Sequence, residues 1–166
     1  GGYGFSKLLA EDIFMRLKEK GLKISILRPT SIYGAGMPVN SLASKFFRKA
    51  FNNEVIEINE PVEDKVDLIH AADVASAVMD VVIKQKWKIY NLSSGNPVSI
   101  KKLAQSCLDV TGSGNIKVLG KVEENYIPSS RYSLDISFAK KDLNWSPEIN
   151  IDLGLKMMQN KELLSK

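Results

Sequence analysis

Two residues near the start of the chain could do acid/base chemistry together. In "GGYGFSKLLAEDIF", Tyr3 and Lys7 stand four residues apart. On a helix that spacing puts both side chains on one face. An ammonium beside a phenol favours the phenolate, so such a pair can take up and return a proton near neutral pH. By itself the pair carries little weight. The chain holds five tyrosines and 23 lysines and arginines, so this spacing arises readily by chance and its context must decide.

The elements that would position the pair follow from apolar spacing. Tyr3 to Lys20 reads as a helix, with Phe5, Leu8, Leu9, Ile13 and Leu17 on one side. Gly21 follows a lysine-rich last turn and stops it. "KISILR" (Lys23 to Arg28) reads as a buried strand, and Pro29 to Asn40 as a loop. A helix over Ser41 to Phe51 comes next, then strands over Glu54 to Ile58 and Val66 to His70. A helix carrying Val74, Ala77, Val78 and Val81 follows, with Asp73 expected to cap it or favour its first turn. Trp87 to Leu92 reads as a strand. Ser99 caps a helix whose Ile100, Leu103, Ala104, Cys107 and Leu108 keep the spacing i, i+3, i+4, i+7, i+8. A strand over Asn115 to Leu119, an irregular stretch and two short helices (Asp135 to Leu143, Ile151 to Gln159) complete the chain. Alternation of strand and helix, with a looser mixed tail, predicts an α/β fold.

Composition narrows the function classes. The 166 residues are enough for one domain with a real core, and 44% hydrophobic with 25% charged content is ordinary for a globular chain. No apolar run approaches the roughly 20 residues of a membrane helix. Cys107 is the one cysteine, so no internal disulfide forms and no cysteine-rich metal site exists. It is expected as buried filler, and a cytoplasmic location is expected. The +4 charge is scattered lysine with no basic stripe or aromatic platform, so neither nucleic acid nor membrane is expected as a partner. No glycine-rich phosphate loop follows any strand. Gly34 and Gly36 precede a helix, but Met37 and Pro38 follow and no third glycine is placed for helix packing.

The context of the pair is an ordered set. "YGFSK" at 3–7 is followed by "LRPTSIYGAG" at 27–36, "VDLIHAADVASAV" at 66–78, "YNLSSGNPVSIKKLA" at 90–104 and "SLDISFAKKDLNWSPEINIDLGL" at 133–155. In that order and spacing the chain resembles the C-terminal half of the extended short-chain dehydrogenase/reductases, the NAD-dependent epimerase/dehydratase family. The resemblance covers nearly the whole chain.

It implies a Rossmann-like α/β fold: the last parallel strands plus a small mixed substrate-binding lobe. Residues 1–36 would be the end of the dinucleotide-binding domain, and 37–166 mostly the substrate lobe, with some segments returning to the first domain. It also implies that Tyr3 is the general acid/base and that Lys7 supports it and holds the nicotinamide ribose. Pro29 to Tyr33 would lie against the nicotinamide, Pro29 and Ile32 among the cofactor contacts. Ser31, Asn40 and Arg131 would meet the substrate. NAD, or NADP, is the implied cofactor, held mainly by an N-terminal half: the glycine-rich loop, the ribose-binding acid and the catalytic Ser/Thr precede the tyrosine in the family and are not in these 166 residues. The substrate would be a sugar nucleotide, or another small hydroxyl or ketone compound, and the protein a homo-oligomer. The chain alone is expected to be inactive.

Departures from the family pattern bear on substrate. Members usually carry Arg-Asp, the arginine clamping the diphosphate, where this chain has Val66-Asp67. Lys65 is one residue early and, by strand alternation, is expected to face the other side. Arg131 comes later than the family's second arginine. A lysine lacks the planar bidentate grip of arginine, which keeps a reductase of a non-nucleotide substrate open. A non-catalytic binding fragment is the third reading. His70, Trp87, Trp145 and Asp67 are expected in packing or hydrogen-bonding roles.

Overall fold

The computed structural model describes residues 1–122, 125–126 and 133–164. Helix α1 (Gly2–Glu19) leads into β1 (Ile26–Pro29) and β2 (Ser31–Tyr33). Then come α2 (Leu42–Phe51), β3 (Val55–Asn59), β4 (Lys65–Val66), β5 (Leu68–His70) and α3 (Ala71–Ile83). The chain continues through β6 (Ile89–Leu92), β7 (Val98–Ser99), α4 (Ile100–Thr111) and β8 (Asn115–Leu119) to α5 (Ser137–Leu143) and α6 (Ile151–Leu164). No helix among the described residues is long and apolar enough to cross a membrane.

The strands pair two by two. β1 runs parallel to β6, β2 to β5 and β3 to β8, while β4 and β7 are antiparallel. This is an α/β fold with parallel pairing between strands far apart in sequence, each return passing through a helix.

Two apolar clusters hold it. The first gathers Phe46, Phe47 and Ala50 of α2, Ile56 and Ile58 of β3, Leu103, Ala104 and Cys107 of α4, and Leu155 of α6. The spacing on α2 and α4 puts these residues on one face. Ser41 and Ser99 cap the two helices, each side chain accepting a backbone N–H from the first turn. Burial pushes the Cys107 thiol up to about 12, so it behaves as an apolar filler. The second cluster joins Ile69, Ala77, Val81, Tyr90, Leu92, Leu143 and Trp145. Strand β5 serves both, Leu68 facing the first and Ile69 the second.

Several elements differ from the sequence expectation. The first strand starts at Ile26, where pairing with Ile89 begins, and runs into Pro29. The expected loop after it contains β2, which exists because β5 supplies a parallel partner. The expected strand over 66–70 is two strands, broken at Asp67 between partners in different sheets. Helix α3 is capped by His70, whose Nδ1 accepts the Ala72 N–H at 3.2 Å. Asp73 lies in the first turn of α3, the second of its two expected placements, and its carboxylate accepts the N–H groups of Glu148 and Ile149 at 3.0 and 3.1 Å, tying the chain after Trp145 onto α3. Trp145 itself is buried, and its indole N–H reaches the Ser76 hydroxyl at 2.9 Å. Trp87 packs half-buried on the second cluster.

Helix α1 buries no residue. Its apolar residues Phe5, Leu8, Leu9, Ile13 and Phe14 are all about half exposed or more. Its footing is polar: Arg28 of β1 donates to Glu11 at 3.0 Å, and Lys18 donates to the Trp87 carbonyl.

Candidate active site

Tyr3 sits in the first turn of α1 and is 78% exposed. The Lys7 ammonium lies 5.3 Å from the centroid of its ring, as the four-residue spacing requires. The Ser6 hydroxyl donates to the Tyr3 carbonyl at 2.8 Å, so Ser6 serves the local backbone. The Glu11–Arg28 pair fixes α1 over β1. The Arg28 hydrogen bond holds the Glu11 carboxyl below its ordinary range, and Glu11 holds the guanidinium up in turn.

Directly after β1 the chain turns across the open end of the sheet. The Thr30 N–H donates to the Leu92 carbonyl at 2.8 Å, and β2 then pairs with β5. The result is a cleft of about 690 Å³ lined by Tyr3, Pro29–Ile32, Lys65, Val66, Asp67 and Leu134. It lies beyond the C-terminal end of parallel strand β1, where open α/β sheets characteristically take ligands. Tyr3, Pro29, Ser31 and Ile32 thus share one cleft, while Lys7 does not line it and meets the Tyr3 ring. Asn40 lies elsewhere, exposed in the turn before α2. Arg131 falls outside the described residues.

Asp67 is 5% exposed at the base of this cleft. Its carboxylate accepts the Ser93 hydroxyl at 2.5 Å, the Ser94 hydroxyl at 2.7 Å and the Ser94 N–H at 3.0 Å. Burial works against its charge, but hydrogen bonds from Ser93, Ser94 and Ser133 outweigh it and hold the carboxyl below the usual carboxylate range. The other charge at the wall is Lys65, which lines the cleft beside Val66 and Asp67.

Residues 1–93 match the model of the NAD dependent epimerase/dehydratase family. The chain belongs to that family. It is 31% identical over 147 residues to the UDP-glucuronate 4-epimerase of Thermodesulfobacterium geofontis, covering 84% of this chain and 43% of that protein. It is 23% identical to UDP-glucuronic acid decarboxylase 6 of Arabidopsis thaliana, over 95% of this chain and 46% of that one. The solved UDP-N-acetylglucosamine 4-epimerase from Bacillus cereus superposes with a TM-score of 0.81 at 26% identity, over 96% of this chain and 53% of that one. The chain therefore spans about half the length of these epimerase/dehydratase relatives.

Thr30 and Leu134 also line the cleft, and the motif pattern does not single them out. The place of Thr30 between two expected contacts, Pro29 and Ser31, is a usable signal for it. Leu134 reaches the cleft from the far end of the chain, which no local pattern announces.

Proposed function

We propose that this chain is the C-terminal half of an NAD-dependent sugar-nucleotide epimerase or dehydratase, with NADP as the alternative cofactor. The observation that carries the reading is the meeting of Tyr3, backed by Lys7, with the Pro29–Ile32 segment at one cleft. Residues 1–36 are read as the end of the dinucleotide-binding domain and most of 37–166 as the substrate lobe.

The nicotinamide end of the cofactor fits here. Ile32 is 46% exposed and Pro29 beside it adds a second apolar surface, which a flat ring would cover. Lys7, whose ammonium lies over the Tyr3 ring, would hold a ribose hydroxyl of the cofactor. When bound, the cofactor supplies a hydride acceptor and donor. The chain's own part is proton transfer and orientation. Tyr3 takes the proton of a sugar hydroxyl as the carbon beneath it is oxidised, and returns it when the carbonyl is reduced. The Lys7 ammonium offsets the negative charge that develops on the phenol oxygen. Ser31 offers the substrate one hydrogen bond from the wall, and Asn40 and Arg131 are held as further substrate contacts.

A cytoplasmic homo-oligomer goes with this reading. The exposed apolar side chains of α1 support packing against further protein, whether the remainder of the enzyme or a second copy.

A reductase of a non-nucleotide hydroxyl or ketone compound is the second reading, favoured by one observation. Val66 lines the cleft where the family pattern would put a diphosphate-clamping arginine. The complete protein should be screened by thermal shift with UDP-glucuronate, UDP-N-acetylglucosamine, UDP-glucose and dTDP-glucose, and its Tyr3→Phe variant assayed on the best of them. Stabilisation by a sugar nucleotide, with turnover lost in Tyr3→Phe, is expected. Stabilisation only by simple ketones or alcohols would favour the reductase, and near-normal turnover of Tyr3→Phe would remove the acid/base role.

A further inference from the structure

The chain crosses twice between the sheets at the cleft and the small antiparallel pair β4–β7. It passes from β4 to β5 through the single residue Asp67, and from β6 to β7 through residues 93–97. The pairing puts these crossings side by side, since Val66 opposes Val98 while β5 and β6 pair with β2 and β1. Nothing in the strand ladders links one crossing to the other at that point. The link is the Asp67 carboxylate.

One of its oxygens takes Ser93, and the other takes both the N–H and the hydroxyl of Ser94. The two hydroxyls pass the connection on to the loop backbone. Ser93 Oγ accepts the Gly95 N–H at 3.0 Å, and Ser94 Oγ accepts the Asn96 N–H at 3.1 Å. Thr30, between Pro29 and Ser31 in the cleft wall, donates to the same carboxylate at 3.3 Å. With both oxygens occupied by protein donors, this acid is not equipped to act as a base on a substrate. A buried carboxylate so fully bonded is a rigid junction.

We infer that Asp67 is a positioning residue: it locks the two chain crossings together and through Thr30 sets the Pro29–Ile32 wall of the cleft. The functional part of this inference rests on the reading of the cleft given above; the structural part does not.

Hydrogen exchange on the complete protein tests it. In Asp67→Ala, amides of residues 30–32 and 94–96 should exchange faster by about tenfold, with those of α4 unchanged. Asp67→Asn should restore most of the protection, because its amide oxygen can take Ser94 while its NH₂ donates to Ser93 Oγ. If Asp67→Ala loosens α4 as well, Thr30→Val and Ser94→Ala combined in one variant, which keeps the carboxylate, carry the same test at 30–32 and 94–96. Turnover on UDP-glucuronate should fall by about tenfold in Asp67→Ala and largely recover in Asp67→Asn, as expected for a displaced cleft wall. Wild-type exchange in both segments of the deciding variant overturns the assignment, as does wild-type turnover in Asp67→Ala. Failure of the wild-type protein to turn over any sugar nucleotide would instead count against the proposed function, and would leave the exchange result to decide the junction.

Discussion

The hydroxyl of Tyr33 occupies the place where residue 154 would carry its β-carbon. A Cβ built on Gly154 would lie 2.1 Å from the Tyr33 hydroxyl oxygen and 2.6 Å from the ring carbon that bears it. Tyr33 is 1% exposed, so the ring cannot swing into solvent. Its hydroxyl donates to the Asn150 carbonyl at 3.1 Å, and its ring meets His70 edge-on at 5.1 Å between centroids. A glycine in a helix interior ordinarily costs stability; here it lets β2 approach α6. Gly154→Ala should therefore destabilise the protein by about 1–3 kcal/mol, although alanine is the better helix former. Chemical denaturation checks this, and a variant as stable as the wild type would mean that the approach is looser than described.

Removing the Lys7 ammonium tests the pair from its other side. Lys7→Met keeps the length of the side chain and its packing over Tyr3 but not its charge. Turnover of the complete protein should fall by about 10²-fold, within the range assigned to positioned acid/base groups. Lys7→Arg should recover part of the loss. Equal turnover in the Met and Arg variants would show that charge beside Tyr3 does not matter.

His70 confers a pH dependence on stability. Burial lowers the pKa of its imidazole, with Asp73 opposing in part. The neutral ring is the one that can accept the Ala72 N–H and cap α3. Because the folded pKa lies below the unfolded value of about 6.5, this contribution is fully present above pH 6.5 and is lost as pH falls through the folded pKa. The melting temperature should drop between pH 7 and pH 5. In His70→Asn, which can cap without titrating, that drop should shrink. Parallel melting curves for the two proteins would refute the assignment.

The 166-residue chain should not bind NAD measurably by itself. On the proposed function its cleft would meet only the nicotinamide end, whereas pyrophosphate binding in such folds relies on backbone N–H groups of a glycine-rich turn and the helix after it. Calorimetric titration with NAD up to about 1 mM should give only heats of dilution, and the complete protein a saturable signal. Micromolar binding by the isolated chain would show that these contacts are not needed.

Local features were legible in the sequence because their causes are local. The spacing of Tyr3 and Lys7 settles their shared helix face wherever the helix goes. The caps at Ser41 and Ser99 need only the next turn, and the burial of Cys107 follows from its place on the apolar stripe of α4. The ordered motifs were enough to point to the epimerase/dehydratase family. Contacts across the chain were a different matter. Asp67 meets Ser93 across 26 residues, and Trp145 reaches back 72 residues to Asp73. Whether residues 66–70 form one strand or two depends on which partners arrive, and periodicity along one strand carries no record of that. In the same way, no local pattern tells that the Asp73 carboxylate holds residues 148 and 149 from the far end of the chain. The sequence by itself determined the helices, most of the longer strands and the chemistry that Tyr3 and Lys7 could do. The tertiary structure decided which residues face them, because parallel pairing and side-chain hydrogen bonding join segments whose register no local pattern encodes.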